Sequence, residues 1–213
     1  MIPRLILLCA LSNFVCAPAA SYVARAQAQQ AASASQQQRG EDDPSAPSGW
    51  KRYRYHYGSG DTCIVVFPQE PEESTQTSDT PEGRVVVHFL QSRSPKGLYF
   101  AACIEIQTKA GLKITPEARR EIYENFWKNF SNGLKSGMEE KGVEAEVVPL
   151  DPKRITISGR EGQEQEFTVR DLHGRYRAAT GESQVYVVVA ISTSGWPSDE
   201  LESFGDSFKI LTP

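Results

Sequence analysis

Two hydrophobic periods alternate along the chain. Between Thr115 and Gly137 the apolar residues Ala118, Ile122, Phe126, Phe130 and Leu134 recur at every fourth position, and Tyr123 and Trp127 widen the stripe. Arg119, Arg120, Glu121, Glu124 and Lys128 fall off it. This period predicts an amphipathic helix whose aromatic face packs on a sheet. Thr115 is placed to accept from a free N–H of the first turn, and Pro116 suits the first helical position. Glu117 adds negative charge at the positive end of the dipole. Gly133 and Gly137 leave the far end of the helix open.

Elsewhere the period is two, or the run is short and wholly apolar. From Trp50 onward Tyr53, Tyr55 and Tyr57 alternate with Arg52, Arg54 and His56, which predicts a strand with one wet face. Thr62 to Phe67 reads as a short strand closed by Pro68. Arg84 to Leu90 is apolar on both faces, so it is expected to be central and to bury His88 in a hydrogen-bonded state. Leu98 to Ile106 turns Leu98, Phe100, Ala102, Ile104 and Ile106 one way and Tyr99, Cys103 and Glu105 the other. Past the helix, short runs at 144–149, 154–158, 163–170, 175–180 and 184–191 are separated by turns and predict an antiparallel meander. Trp196-Pro197-Ser198 starts a short helix that buries Leu201 and Phe204, and Phe208, Ile210 and Leu211 close the domain. Residues 69–83 are acidic and rich in proline and threonine, and they are expected to be a solvated loop. Their carboxylates fit no calcium-loop spacing. The fold class is therefore α+β: one antiparallel β-sheet flanked by a long helix and a short C-terminal one, an α/β/α sandwich.

A length of 213 residues accommodates one ordinary domain and an extension. Residues 1–26 have the composition of a signal peptide: Arg4, an apolar run from Leu5 to Val15, then small residues. The run falls short of the roughly 20 residues of a membrane span. Cleavage fits after Ala19 or Ala26, with Ala26 favoured, and lipidation at Cys16 lacks a good lipobox. Residues 27–48, rich in Gln, Ala and Ser, are expected to be a disordered linker, and 49–213 a single domain. The expected localisation is extracytoplasmic, periplasmic or secreted, with membrane association only if the N-terminus is retained or lipidated. Cleavage after Ala26 would leave 21 basic against 27 acidic residues, which argues against a nucleic-acid partner.

After that cleavage Cys63 and Cys103 are the cysteines that remain. An even count in an oxidising compartment invites a disulfide. If the Arg84–Leu90 strand lies between them in space, however, their sulfurs are about 9.5 Å apart, beyond bridging distance. A disulfide and two buried free thiols both stand open. His56, His88 and His173 have no zinc-site spacing. No nucleophile elbow, phosphate loop or H-E-x-x-H motif is present. Accordingly no catalytic, cofactor-binding or metal-ligating residue is assigned and no cofactor is expected. His88 and His173 are the residues that a pocket would draw on.

At ISGREGQEQEFTVRD, RYRAATGESQVYVVVAIS and ESFGDSFKIL the sequence resembles a group of secreted bacterial proteins with the PsbP-like fold. The matching features are Phe67-Pro68, Gly159 and Gly162, Tyr186, and Asp206-Ser207-Phe208. They are turn and core positions. The resemblance implies an antiparallel sheet between helices and mostly non-catalytic binding roles, and it transfers no functional residue. The expected function is a non-catalytic binding or assembly module whose partner is a protein or a small ligand. The alternative, a small secreted hydrolase or a lipid- or small-ligand-handling protein, requires a deep pocket where His88, His173 or a carboxylate pair converge.

Overall fold

The computed structural model describes residues 38–56, 61–80, 83–108, 114–193 and 199–212. The expected signal peptide, Tyr57 and Trp196-Pro197-Ser198 lie outside them.

The period-four stripe folds as α1, Pro116–Glu139. The Thr115 hydroxyl accepts from the Ala118 N–H at 3.3 Å. The helix runs through Gly133 and Gly137 and ends where Gly142 adopts φ 72°, which lets the Val143 N–H reach the Met138 carbonyl. A second helix, α2, spans Asp199–Ser207 and buries Leu201 and Phe204. No described helix is long and apolar enough to cross a membrane.

The strands form two antiparallel sheets rather than the single one expected. The larger sheet orders β4 (Glu72–Thr80), β5 (Gly83–Ser94), β6 (Gly97–Thr108), β11 (Gln184–Ser192), β10 (Leu172–Thr180) and β9 (Arg160–Val169). Along the far edge of β9 lie β7 (Val147–Pro149) and β8 (Lys153–Ile157). The smaller sheet orders β1 (Gln38–Asp42), β2 (Lys51–His56), β3 (Thr62–Phe67) and β12 (Lys209–Leu211). Two segments expected to lack structure are therefore strands. Residues 72–80 carry no apolar stripe, but their backbone pairs with β5, and serine, threonine and acidic side chains suit a solvated sheet edge. Gln38–Asp42, inside the expected linker, pairs with β2. Asp43 then anchors the following turn by accepting from Arg52 at 2.7 Å and from the Ser45 hydroxyl at 2.7 Å.

Two cores follow from the two faces of the large sheet. On one face, Ala118, Ile122, Phe126 and Phe130 of α1 pack on β9, β10, β11 and the β5–β6 pair. Phe126 meets Tyr176 at 5.2 Å between ring centres, and Phe130 meets Phe167 at 5.4 Å. The other face is covered by the small sheet and α2. There Phe204 lies 5.5 Å from Phe67 and 5.2 Å from Tyr99, joining helix, small sheet and large sheet in one aromatic cluster.

Candidate functional site

The two-residue link between β8 and β9 is Ser158-Gly159, with φ values of 51° and 79°. Both residues are left-handed, as a type I′ hairpin turn requires. The turn carries β8 toward β12, the last strand of the small sheet, and the Ser158 hydroxyl accepts from the Ile210 N–H at 2.9 Å. Between β8 and β12 lies an open groove of about 570 Å³ walled by Ile155, Thr156, Ile157, Phe208 and Lys209. A smaller hollow of about 370 Å³ lies against Arg52, Val66 and Ser207, and Asp206 and Lys209 border both. Ser207 holds the junction: it accepts from the Val66 N–H at 3.1 Å and donates to the Phe204 carbonyl at 2.7 Å.

The floor of the groove is fixed by ion pairs. Arg177 donates to Glu164 and to Asp206, each at 2.6 Å. Burial works against its charge, but these bonds outweigh burial and hold the guanidinium above its ordinary pKa. Gly205 lets this happen, because a Cβ there would lie 3.0 Å from the Arg177 Nη1. Arg175 beside it donates to Glu202 at 2.6 Å and to Glu166 at 3.0 Å. These guanidinium groups are thus engaged in joining α2 to β9 and β10.

A second polar constellation lies inside the two-sheet core. Asp61, just before β3, is 6% exposed. It accepts from the hydroxyl of Tyr186 on β11 and from Arg160 Nη2 at 3.1 Å. The Arg160 guanidinium also lies 5.4 Å from the Tyr186 ring centre. Burial first, and then the bond to Asp61, drive the Tyr186 hydroxyl far above its ordinary pKa. Asp61 and Arg160 lie between predicted strands and Tyr186 within one, and no expected site connected them. One signal was present: the period of two puts Asp61 on the same side of the chain as Cys63, Val65 and Phe67.

The candidate histidines do not meet. His88 on β5 lies opposite Cys103, which lies opposite Tyr186, which lies opposite Ala179 of β10. His173 is on β10 as well, six residues from that level, so the two are roughly 25 Å apart. His88 is buried, with Thr75 Oγ1 at 3.3 Å from its Nδ1 and Glu105 at 3.9 Å from its Nε2. Burial lowers its pKa against the opposing pull of Glu105. Neither histidine lines the groove. Among the described residues no group of three or more His, Cys, Asp or Glu could hold a metal ion.

Cys63 and Cys103 are buried free thiols. Strand β5 does not separate them, because β3 belongs to the small sheet and β6 to the large one. Both side chains enter the same inter-sheet cluster.

No protein-family model matches the chain, and no curated protein matches it. Among solved structures it is similar to the cyanobacterial PsbP protein, CyanoP, from Synechocystis, with a TM-score of 0.45 and 11% identity over 81% of this chain and 98% of that one. This is a likeness to the fold family that the turn and core residues resemble. At this score it brings no site and no activity with it.

Proposed function

We propose that the mature chain is an extracytoplasmic, non-catalytic binding or assembly module that meets a protein or small ligand at the groove between β8 and β12. The supporting observation is that the groove runs between two sheet edges. The two-residue turn makes Ile157 and Arg160 a hydrogen-bonded pair, so Ile155 and Lys153 also bond to β9. Arg154 and Thr156 therefore aim their backbone N–H and C=O groups away from the sheet. Outward backbone groups beside the half-buried Ile155 favour binding. The hydrolase alternative needs convergent titratable groups, and the distance between His88 and His173 weighs against it. In this reading residues 1–26 are removed as a signal peptide.

The test is a photo-cross-linking residue at Thr156, compared with one at Glu124 on the exposed face of α1, in the native compartment. A defined adduct from position 156 and none from 124 is expected. Equal labelling at both positions, or at neither, would remove the groove from consideration. Ester, glycoside or peptide turnover that His88→Ala abolishes would replace the binding reading with the enzymatic one.

A further inference from the structure

Cys63 and Cys103 are 3% and 0% exposed and belong to one cluster between the sheets. Cys63 on β3 sits between Tyr55 and Ile210, and Cys103 on β6 sits between His88 and Tyr186. The sheets are tied together beside them. Asp61, two residues before Cys63 and on the same side of the strand, accepts from Tyr186, the cross-strand neighbour of Cys103. That tie brings both thiols to the same part of the inter-sheet core, near enough that charge on Cys63 would further raise the pKa of Cys103. Packed sheets about 10 Å apart are spanned by a cysteine pair in immunoglobulin domains, so the arrangement is one a disulfide can bridge.

We propose that Cys63 and Cys103 are an oxidisable pair that closes into a disulfide, stapling the small sheet to the large one. Both S–H bonds break and one Sγ–Sγ bond forms. The S–S bond of a small-molecule or protein disulfide breaks as it takes up the two electrons and, through water, the two protons, and it becomes two thiols. Thiol–disulfide exchange needs a thiolate, and burial pushes both thiols up. The bridge therefore forms while the sheets are still apart, during folding. It closes the loop 63–103 and restricts the unfolded chain, which raises the melting temperature by about 10 °C.

The test uses the mature chain from Gln27, whose cysteines are Cys63 and Cys103, refolded from denaturant in a buffer of oxidised and reduced glutathione. The products are denatured without reductant, alkylated with N-ethylmaleimide and weighed intact. A monomer two hydrogens lighter than the dithiol, refractory at Cys63 and Cys103 until reduced, is expected. Peptide mapping should join these two residues, and reductant should lower Tm by about 10 °C. The Cys63→Ala/Cys103→Ala variant should melt at one temperature with or without reductant. Alkylation at both positions before reduction, a glutathione adduct on either one, or a bridged protein whose Tm ignores reductant would each overturn the staple.

Discussion

The Ser158 hydroxyl accepts from the Ile210 N–H at 2.9 Å, and through that bond the hairpin turn of the large sheet holds the edge strand of the small one. Ser158 does so at φ 51°, where glycine or asparagine is usual. Its hydroxyl is the reason a serine fits there. Ser158→Ala leaves the N–H of Ile210, a residue 3% exposed, without that partner. A loss of about 1–2 kcal/mol is expected. Ser158→Gly loses the same bond but relaxes the backbone, so its urea midpoint should fall between wild type and Ser158→Ala. Identical midpoints for wild type and Ser158→Ala would show that the bond contributes nothing.

Gly174 lies opposite Phe167, and a Cβ at 174 would come within 2.2 Å of the Phe167 ring. That ring is 1% exposed and held by Trp127 at 5.5 Å and Phe130 at 5.4 Å, so it cannot yield. Gly174→Ala should destabilise by about 1–3 kcal/mol. The urea midpoints of wild type and Gly174→Ala measure it, and equal midpoints would show that the ring gives way.

Helix α1 was legible because each local signal agreed: period, N-cap, first-position proline and an acidic first turn. Its end was not, because two glycines that could stop a helix lie within it and a third, Gly142, stops it. Strand β4 was hidden for a different reason. Its side chains carry no apolar alternation, and what makes it a strand is the edge of β5 beside it. The small sheet depends on β3 pairing with β12, far apart in the chain, and no local pattern names a distant partner. The groove was illegible for the same reason, since Ile157 and Lys209 are each ordinary until the two edges meet. Asp61 was the avoidable miss, because its parity pointed inward.

Asp61 is buried with two donors, Arg160 and Tyr186. Tyr186→Phe removes one and leaves the ion pair, and a loss of about 1–3 kcal/mol is expected. Arg160→Met removes the compensating charge and leaves a buried carboxylate, which should cost more, about 3–5 kcal/mol. Chemical denaturation of both variants and of Asp61→Asn tests the order. If Arg160→Met proves no worse than Tyr186→Phe, the aspartate does not depend on the arginine.

His88 makes stability depend on pH. Burial keeps its folded pKa below the ordinary value near 6.5, and Glu105 only partly opposes that. Below the ordinary value the unfolded chain takes up the proton more readily than the folded one. Stability contributed by neutral His88 is therefore fully present above about 6.5 and is lost as the pH falls from there toward the lowered folded pKa. His88→Gln should be less stable at neutral pH, where it gives up the imidazole packing and the Thr75 contact, yet lose nothing further across that window. The measurement is the urea midpoint of both proteins at half-unit steps from pH 7.5 to 4.5. Parallel curves would mean that another group carries the dependence. Wild-type stability that rises on acidification through the window would reverse the sign and place a charged histidine against Glu105 in the folded state.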